Sequence, residues 1–138
     1  MTPSQTSEHP CIASINFGRW SDRIRYGDPD ALSHLYADEA TFHPTLSDQF
    51  AQGRKEIAEY FSYFLELRPV ASLVESKIKL LANKTLCLHS GIYRFDFNPS
   101  KETSHYVKAR FSFLWEYHDG DWLITHHHSS ATPMLSKS

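Results

Sequence analysis

Ser104-His105-Tyr106-Val107-Lys108-Ala109-Arg110-Phe111-Ser112-Phe113-Leu114-Trp115-Glu116-Tyr117 alternates apolar with polar residues along most of its length. Side chains two apart on a strand share a face. Val107, Ala109, Phe111, Phe113, Trp115 and Tyr117 therefore form one face, and Lys108, Arg110, Ser112 and Glu116 the other. One aromatic face and one charged face describe an antiparallel sheet covered on one side. What covers the aromatic face must come from elsewhere in the chain.

Working outward, the second half keeps a period of two. It is punctuated at Asn83-Lys84, Asn98-Pro99-Ser100-Lys101 and Asp119-Gly120, which predicts strands at about 72–81, 85–97, 104–117 and 121–131. The first half is helical. Ala13, Phe17, Trp20 and Ile24 recur at helical spacing and predict a long helix ending near Gly27. Asp28-Pro29 is an N-cap followed by proline at the first helical position, and Leu32, Leu35 and Tyr36 mark a short second helix. Ala40-Thr41-Phe42-His43-Pro44 reads as a short strand, and residues 45–53 as a loop. A third helix is expected from Arg54 to Leu67, with Ile57, Tyr60, Phe61 and Phe64 on its core arc and Tyr63 at the border. Helices first and a meandering sheet afterwards give an α+β domain, about three N-terminal helices packed in a curved antiparallel sheet. Such a cone has a cavity at its open end. The expected division is a disordered lead at 1–11, a single domain at 12–133 and a tail at 134–138.

Composition bounds the function. A chain of 138 residues with 41% hydrophobic and 14% aromatic residues buries a single core. Its formal charge of −2 is not interrupted by a basic block, so it offers little to a phosphate backbone, and nucleic acid is not an expected partner. Cys11 and Cys87 match no metal spacing and form no disulfide framework. No apolar run is long enough to span a bilayer, and Met1–Glu8 lacks the basic and apolar regions of a signal peptide. No membrane association is expected, and a cytoplasmic location is.

The last strand carries the chemistry. In Trp122-Leu123-Ile124-Thr125-His126-His127-His128-Ser129-Ser130-Ala131-Thr132-Pro133, alternation puts His126, His128 and Ser130 on one face and Thr125, His127 and Ser129 on the other. The second set would offer a hydroxyl, an imidazole and a hydroxyl to a pocket. The first would offer a His-x-His pair able to hold zinc with a third ligand, from His43, His89 or His105. The pattern alone leaves both orientations open, along with a solvated histidine cluster.

The order of elements, with Tyr26-Gly27-Asp28-Pro29, Leu35-Tyr36-Ala37-Asp38-Glu39-Ala40, Gly53-Arg54 and Gly120-Asp121-Trp122-Leu123-Ile124 ahead of Pro133, resembles the nuclear-transport-factor-2-like (NTF2-like) superfamily. Within it the chain looks like the branch related to the association domain of calcium/calmodulin-dependent kinase II, over roughly residues 12 to 133. His126-His127-His128-Ser129-Ser130 with Pro133, together with Pro44-Thr45-Leu46-Ser47, is similar to the iota class of carbonic anhydrases. That resemblance implies a carbonate dehydratase, a lyase hydrating carbon dioxide reversibly to bicarbonate, with no metal or other cofactor. It puts the catalytic groups on Thr45, Tyr63, His127 and Ser129. Thr45, Tyr63 and Ser129 would hold the water and His127 would take its proton. Phe42, Phe61, Phe111 and Phe113 would form the apolar wall for the substrate. Two other readings stand beside it: a metal-dependent carbonic anhydrase using His126 and His128, and a non-enzymatic association or ligand-binding domain. An isomerase-like role would need a pocket carboxylate, from Asp38, Glu39 or Asp48. An exposed sheet face bearing Tyr106, Leu114 and Trp122 leads to the expectation of a homodimer packed sheet to sheet.

Overall fold

The computed structural model describes residues 4–102 and 105–133, with the backbone path alone for 4–11. Helix α1 (Ser4–Tyr26) presents Ala13, Phe17, Trp20 and Ile24 to the core as one buried stripe. It stops at Gly27, whose φ of +83° is a conformation glycine adopts without strain, and the Gly27 N–H closes on the Arg23 carbonyl at 3.2 Å. The Asp28 carboxylate then accepts from the Asp30 and Ala31 N–H groups and caps α2 (Pro29–Ser33). The helix begins at Ser4, so it takes in most of the stretch expected as a disordered lead. The expected tail at 134–138 lies outside the described residues.

Tyr36 does not extend α2. It opens strand β1 (Tyr36–His43), longer than the short strand expected at Ala40–Pro44. β2 (Ala51–Gln52) is a two-residue edge within the expected loop, and α3 (Gly53–Phe64) follows and tightens into a 3-10 turn at Leu65–Leu67. Arg68, at φ 52°, reverses the chain into β3 (Pro69–Leu81). β4 (Leu86–Phe97), β5 (His105–His118) and β6 (Asp121–Ala131) complete the meander close to where the period of two places them.

The sheet runs β2-β1-β6-β5-β4-β3. All neighbours are antiparallel except β1 and β6, which pair in parallel. The β3–β6 meander is antiparallel as expected, and the added parallel pairing of β1 matters for the site. Parallel pairing sets Phe42 beside His127 and Thr41 beside His126.

The concave face of this six-stranded sheet wraps α1 and α3. Trp20 is central, its indole stacked on Tyr93 at 5.5 Å and edge-on to Phe113 at 5.2 Å. Phe42, Phe61, Phe64, Phe95, Phe97, Phe111 and Phe113 fill the space around it, all buried. Each large side chain so covered contributes roughly 1.5–3 kcal/mol of transfer free energy. The aromatic face read from β5 is the one that faces inward: Ala109, Phe111, Phe113 and Trp115 are buried, while Lys108 and Arg110 are exposed.

Gly91 marks where the sheet bends. It sits opposite Ser76, beside the register shift between Leu73 and Glu75 in β3, and a Cβ there would lie 2.1 Å from the Glu75 carbonyl oxygen. Backbone cannot give way as a flexible side chain can. Gly91→Ala should therefore destabilise the domain by about 1–3 kcal/mol, read as a lower urea midpoint; an unchanged midpoint would show that β3 moves freely past β4.

Candidate functional site

β6 decides which alternate residues meet the core. His127 and Ser129 are buried at 0% and 4% exposure, and they point into the cone. His126 and Ser130 are half-buried and His128 exposed on the outer face. Of the expected inward set, His127 and Ser129 face the core but Thr125 does not join them: it is half-buried and unpaired at the register shift opposite Leu114 and Trp115, and Ile124 is buried in its stead.

Thr45 reaches the same place from the loop after β1. Pro44 ends the strand, Leu46 turns the chain at φ 62°, and Thr45 between them is 3% exposed. Its hydroxyl is hydrogen-bonded to that of Ser129. Tyr60, on the inner side of α3, fixes the loop by donating its O–H to the Thr45 carbonyl at 2.9 Å. Tyr93 of β4 donates to the Ser129 hydroxyl at 2.5 Å and is also 3.1 Å from His127 Nε2. On the other side of the imidazole, Nδ1 lies 2.9 Å from the Tyr36 hydroxyl, and the Trp20 N–H donates to Tyr36 at 3.1 Å. The result is one connected line of polar groups, from Trp20 through Tyr36, His127, Tyr93 and Ser129 to Thr45.

The His127 ring is held flat between Phe42 (4.4 Å) and Phe113 (4.1 Å). Complete burial, reinforced by His126 and His128 nearby, pushes its pKa well below the ordinary histidine value. Burial acts oppositely on the phenols: Tyr36, Tyr60 and Tyr93 are all held protonated, well above the usual tyrosine range. The site is thus uncharged at neutral pH. His127 is not the free base expected, because both of its nitrogens are engaged by tyrosine hydroxyls and its cation is disfavoured by burial.

Beside this line lies a hollow with about 10 Å³ of free volume, room for a single water. Trp20, Phe42, Thr45, Tyr60, Phe61, Phe64, Tyr93, Phe95, His127 and Ser129 line it. The lining is aromatic on most sides, with its hydroxyls and imidazole gathered at one end, and it contains no carboxylate.

A family model described as the calcium/calmodulin dependent protein kinase II association domain matches residues 12–133. The chain belongs to this family. A solved structure from Xanthomonas campestris described as such an association domain is 31% identical, with a TM-score of 0.83, over 90% of this chain and 87% of that one. An NTF2-like protein of unknown function from Pseudomonas putida shares the fold at 18% identity and a TM-score of 0.75, covering 92% and 88%. So does a Novosphingobium aromaticivorans protein titled as a candidate scytalone dehydratase, at 14% identity and a TM-score of 0.79, covering 96% and 89%. No curated protein matches the chain. The expected α+β NTF2-like fold is therefore the fold of this association-domain family member.

Within it, the expected site residues divide. Thr45, His127 and Ser129 come together. Tyr63 does not join them: it is 74% exposed on the solvent side of α3, because at about 100° per residue it lies roughly 120° from Ile57 and 160° from Phe61, outside the buried arc. Phe42 and Phe61 line the hollow as expected. Phe111 and Phe113 stand one layer back, stacked behind Tyr93 (4.6 Å) and His127 (4.1 Å). Trp20, Tyr36 and Tyr93 were not singled out for chemistry. Strand parity with the buried Phe95 and Phe97 places Tyr93 inward, but nothing in the sequence shows that its hydroxyl meets β6.

Of the histidines considered for the alternative metal site, His43, His126 and His128 lie together on the outer face, and His89 and His105 lie apart from them. His126 Nδ1 is bonded to the Thr41 hydroxyl at 2.7 Å on the outer face. His43 lies near His126 and His128 at ring separations of 6.0 and 5.2 Å but is itself stacked on Phe50 at 4.1 Å. His89 is buried on the inner face, edge-on to Phe111, and His105 pairs with Phe97 at the end of β5. Among the described residues no three histidine, cysteine or acidic side chains are placed to hold a metal ion. The carboxylates considered for isomerase chemistry are also outside: Asp38 pairs with Arg54 at 2.7 Å, and Glu39 and Asp48 are exposed. Among the described residues no helix is long and apolar enough to cross a membrane.

The buried imidazole carries a stability signature. Folding requires neutral His127, so below about pH 6.5 the unfolded chain binds more protons than the folded one. The stabilisation is complete above that pH and falls as the pH drops, by up to about 1.4 kcal/mol per pH unit for this one group. His89, lowered by burial, has the same sign. Urea unfolding between pH 7.5 and 5 should show this slope in the wild type and a slope smaller by about one proton's share in His127→Gln. Equal slopes would mean that His127 titrates normally in the folded chain.

Proposed function

We propose that this domain is a carbonic anhydrase that hydrates carbon dioxide without a metal, by passing one proton through hydroxyl groups. The observation that carries this reading is the Thr45–Ser129 hydroxyl pair, buried at the polar end of a small aromatic hollow and backed by Tyr93 and His127. The resemblance of the tail and of the Pro44-Thr45-Leu46-Ser47 loop to the iota class points the same way.

The size and polarity of the hollow select the substrate. Sites for drug-sized ligands usually run to about 300–1,000 Å³, and this one has about 10 Å³ free. Only a molecule of very few atoms is admitted, and even carbon dioxide beside a water requires the aromatic lining to give. An aromatic wall suits a linear apolar substrate, and the hydroxyl end suits the water that attacks it.

The chemistry needs no strong base. As the water oxygen bonds to the substrate carbon, one C=O π pair moves onto oxygen. The water passes a hydrogen to the Thr45 hydroxyl, which gives its own hydrogen to that developing oxyanion. Carbon dioxide and water thus become carbonic acid with every atom accounted for, and the acid ionises to bicarbonate on leaving for bulk water. No fixed charge has to be created in the aromatic core at any step.

A second reading follows from the family name, an association module with no turnover. It leaves the polar line unexplained, since six buried hydrogen-bonding side chains offer nothing to a surface on which copies associate.

Stopped-flow measurement of carbon dioxide hydration tests the proposal. Ser129→Ala and Thr45→Val should each lower kcat/KM by about 10²-fold or more, the cost typical of removing a preorganised donor. Tyr63→Phe, at an exposed position, should leave the rate unchanged, and so should prior treatment with a strong chelator. No hydration above the uncatalysed rate in the wild type, or full rates in both site variants, would refute it.

A further inference from the structure

The line of polar side chains has a direction, and Trp20 sets it. The indole N–H can only donate, and it donates to the Tyr36 oxygen at 3.1 Å. A phenol has one hydrogen, and the remaining partner of the Tyr36 hydroxyl is His127 Nδ1, at 2.9 Å. That hydrogen therefore goes to Nδ1. A neutral imidazole that accepts at Nδ1 carries its hydrogen on Nε2, which donates to the Tyr93 oxygen at 3.1 Å. Tyr93 in turn donates to Ser129 at 2.5 Å, and the Ser129 and Thr45 hydroxyls share a hydrogen bond in which either can be the donor.

We infer that Trp20, Tyr36 and Tyr93 are positioning residues that lock His127 as its Nε2–H tautomer, so that the Tyr93 hydroxyl hydrogen is committed to Ser129. The reverse direction would put a hydrogen on Nδ1 and aim the Tyr36 O–H at no acceptor, in a residue with 0% exposure. An unmade buried hydrogen bond disfavours that arrangement by roughly tenfold or more. Burial also keeps both phenols protonated and the imidazole neutral, so no link is inverted by ionisation near neutral pH.

One consequence follows for the site. His127 cannot relay a proton away from the hollow, because the chain of donors runs toward Ser129 and ends behind at an indole that takes no proton. This inference rests on the carbonic anhydrase reading only for what occupies the hollow. The tautomer itself is independent of turnover.

Nitrogen-15 NMR of the intact protein decides the matter, with the His127 ring signals identified by their loss in His127→Gln. Between pH 6 and 8 the wild type should show a protonated Nε2 and a bare Nδ1, with no change over the range. In Trp20→Phe, which removes the N–H that orders the line, the Nδ1 signal should move toward the protonated position as the two tautomers mix. An Nδ1–H tautomer or an imidazolium in the wild type overturns the inference even if the protein hydrates carbon dioxide. The expected tautomer in a protein without that activity would uphold it and remove only the catalytic reading.

Discussion

An imidazole stacked between two phenylalanine rings is stabilised when both of its nitrogens find partners, a condition that the buried His89, with neither nitrogen hydrogen-bonded, does not meet. His127 meets that condition between Tyr36 and Tyr93, and much of the architecture follows from it. Tyr36 has to stand at the start of β1, and β1 has to lie parallel to β6, to bring a hydroxyl to Nδ1. β4 has to be a neighbour of β5 at a register that aims Tyr93 across the concave face. Trp20 has to cross the cone on α1 to satisfy Tyr36 from behind. Removing any one partner leaves a polar atom stranded among aromatics, at a cost of about 1–3 kcal/mol. The site and the core are therefore the same object, held by one set of contacts.

How much of this the sequence reveals depends on the range of the interaction. The period of two in Val107–Tyr117 and the helical spacing of Ala13, Phe17, Trp20 and Ile24 report local geometry, and both describe the observed elements. The Asp28-Pro29 cap is equally local and equally legible. The parallel pairing of β1 with β6 is not, since it joins residues some 85 positions apart and no pattern within either strand encodes its partner. Tyr36 shows why: beside Leu32 and Leu35 it fits a helical arc, and only the sheet reveals it as the first residue of a strand.

The candidate site divides along the same line. Strand parity states that His127 and Ser129 share a face, but it is silent on which face is covered. α1 and α3 decide that by burying the aromatic side of β5, and β6 follows its neighbour through the antiparallel register Phe111↔Ser129 and Phe113↔His127. Tyr63 misled for a different reason. On a helix the border between core and solvent is set by what packs against it, and α3 lies so that Tyr60 meets the Thr45 loop while Tyr63 faces water. Tyr93 sat in an unremarkable aromatic strand, and its role exists only across the cone.

The sheet also separates two environments a few ångströms apart. On the outer face His126 is only partly buried, and that burial, with His43 and His128 beside it, lowers its pKa from the ordinary histidine value. On the inner face His127 is stripped of water and uncharged. A reaction that generated an ion inside would have to overcome the same desolvation that keeps His127 neutral, with no carboxylate or cation in the lining to offset it. Under the proposed function this explains why the proton should cross between hydroxyls rather than onto the imidazole: a cyclic transfer conserves neutrality, and ionisation is deferred until the product reaches water. The aromatic enclosure that makes the core stable then becomes the constraint that chooses the mechanism.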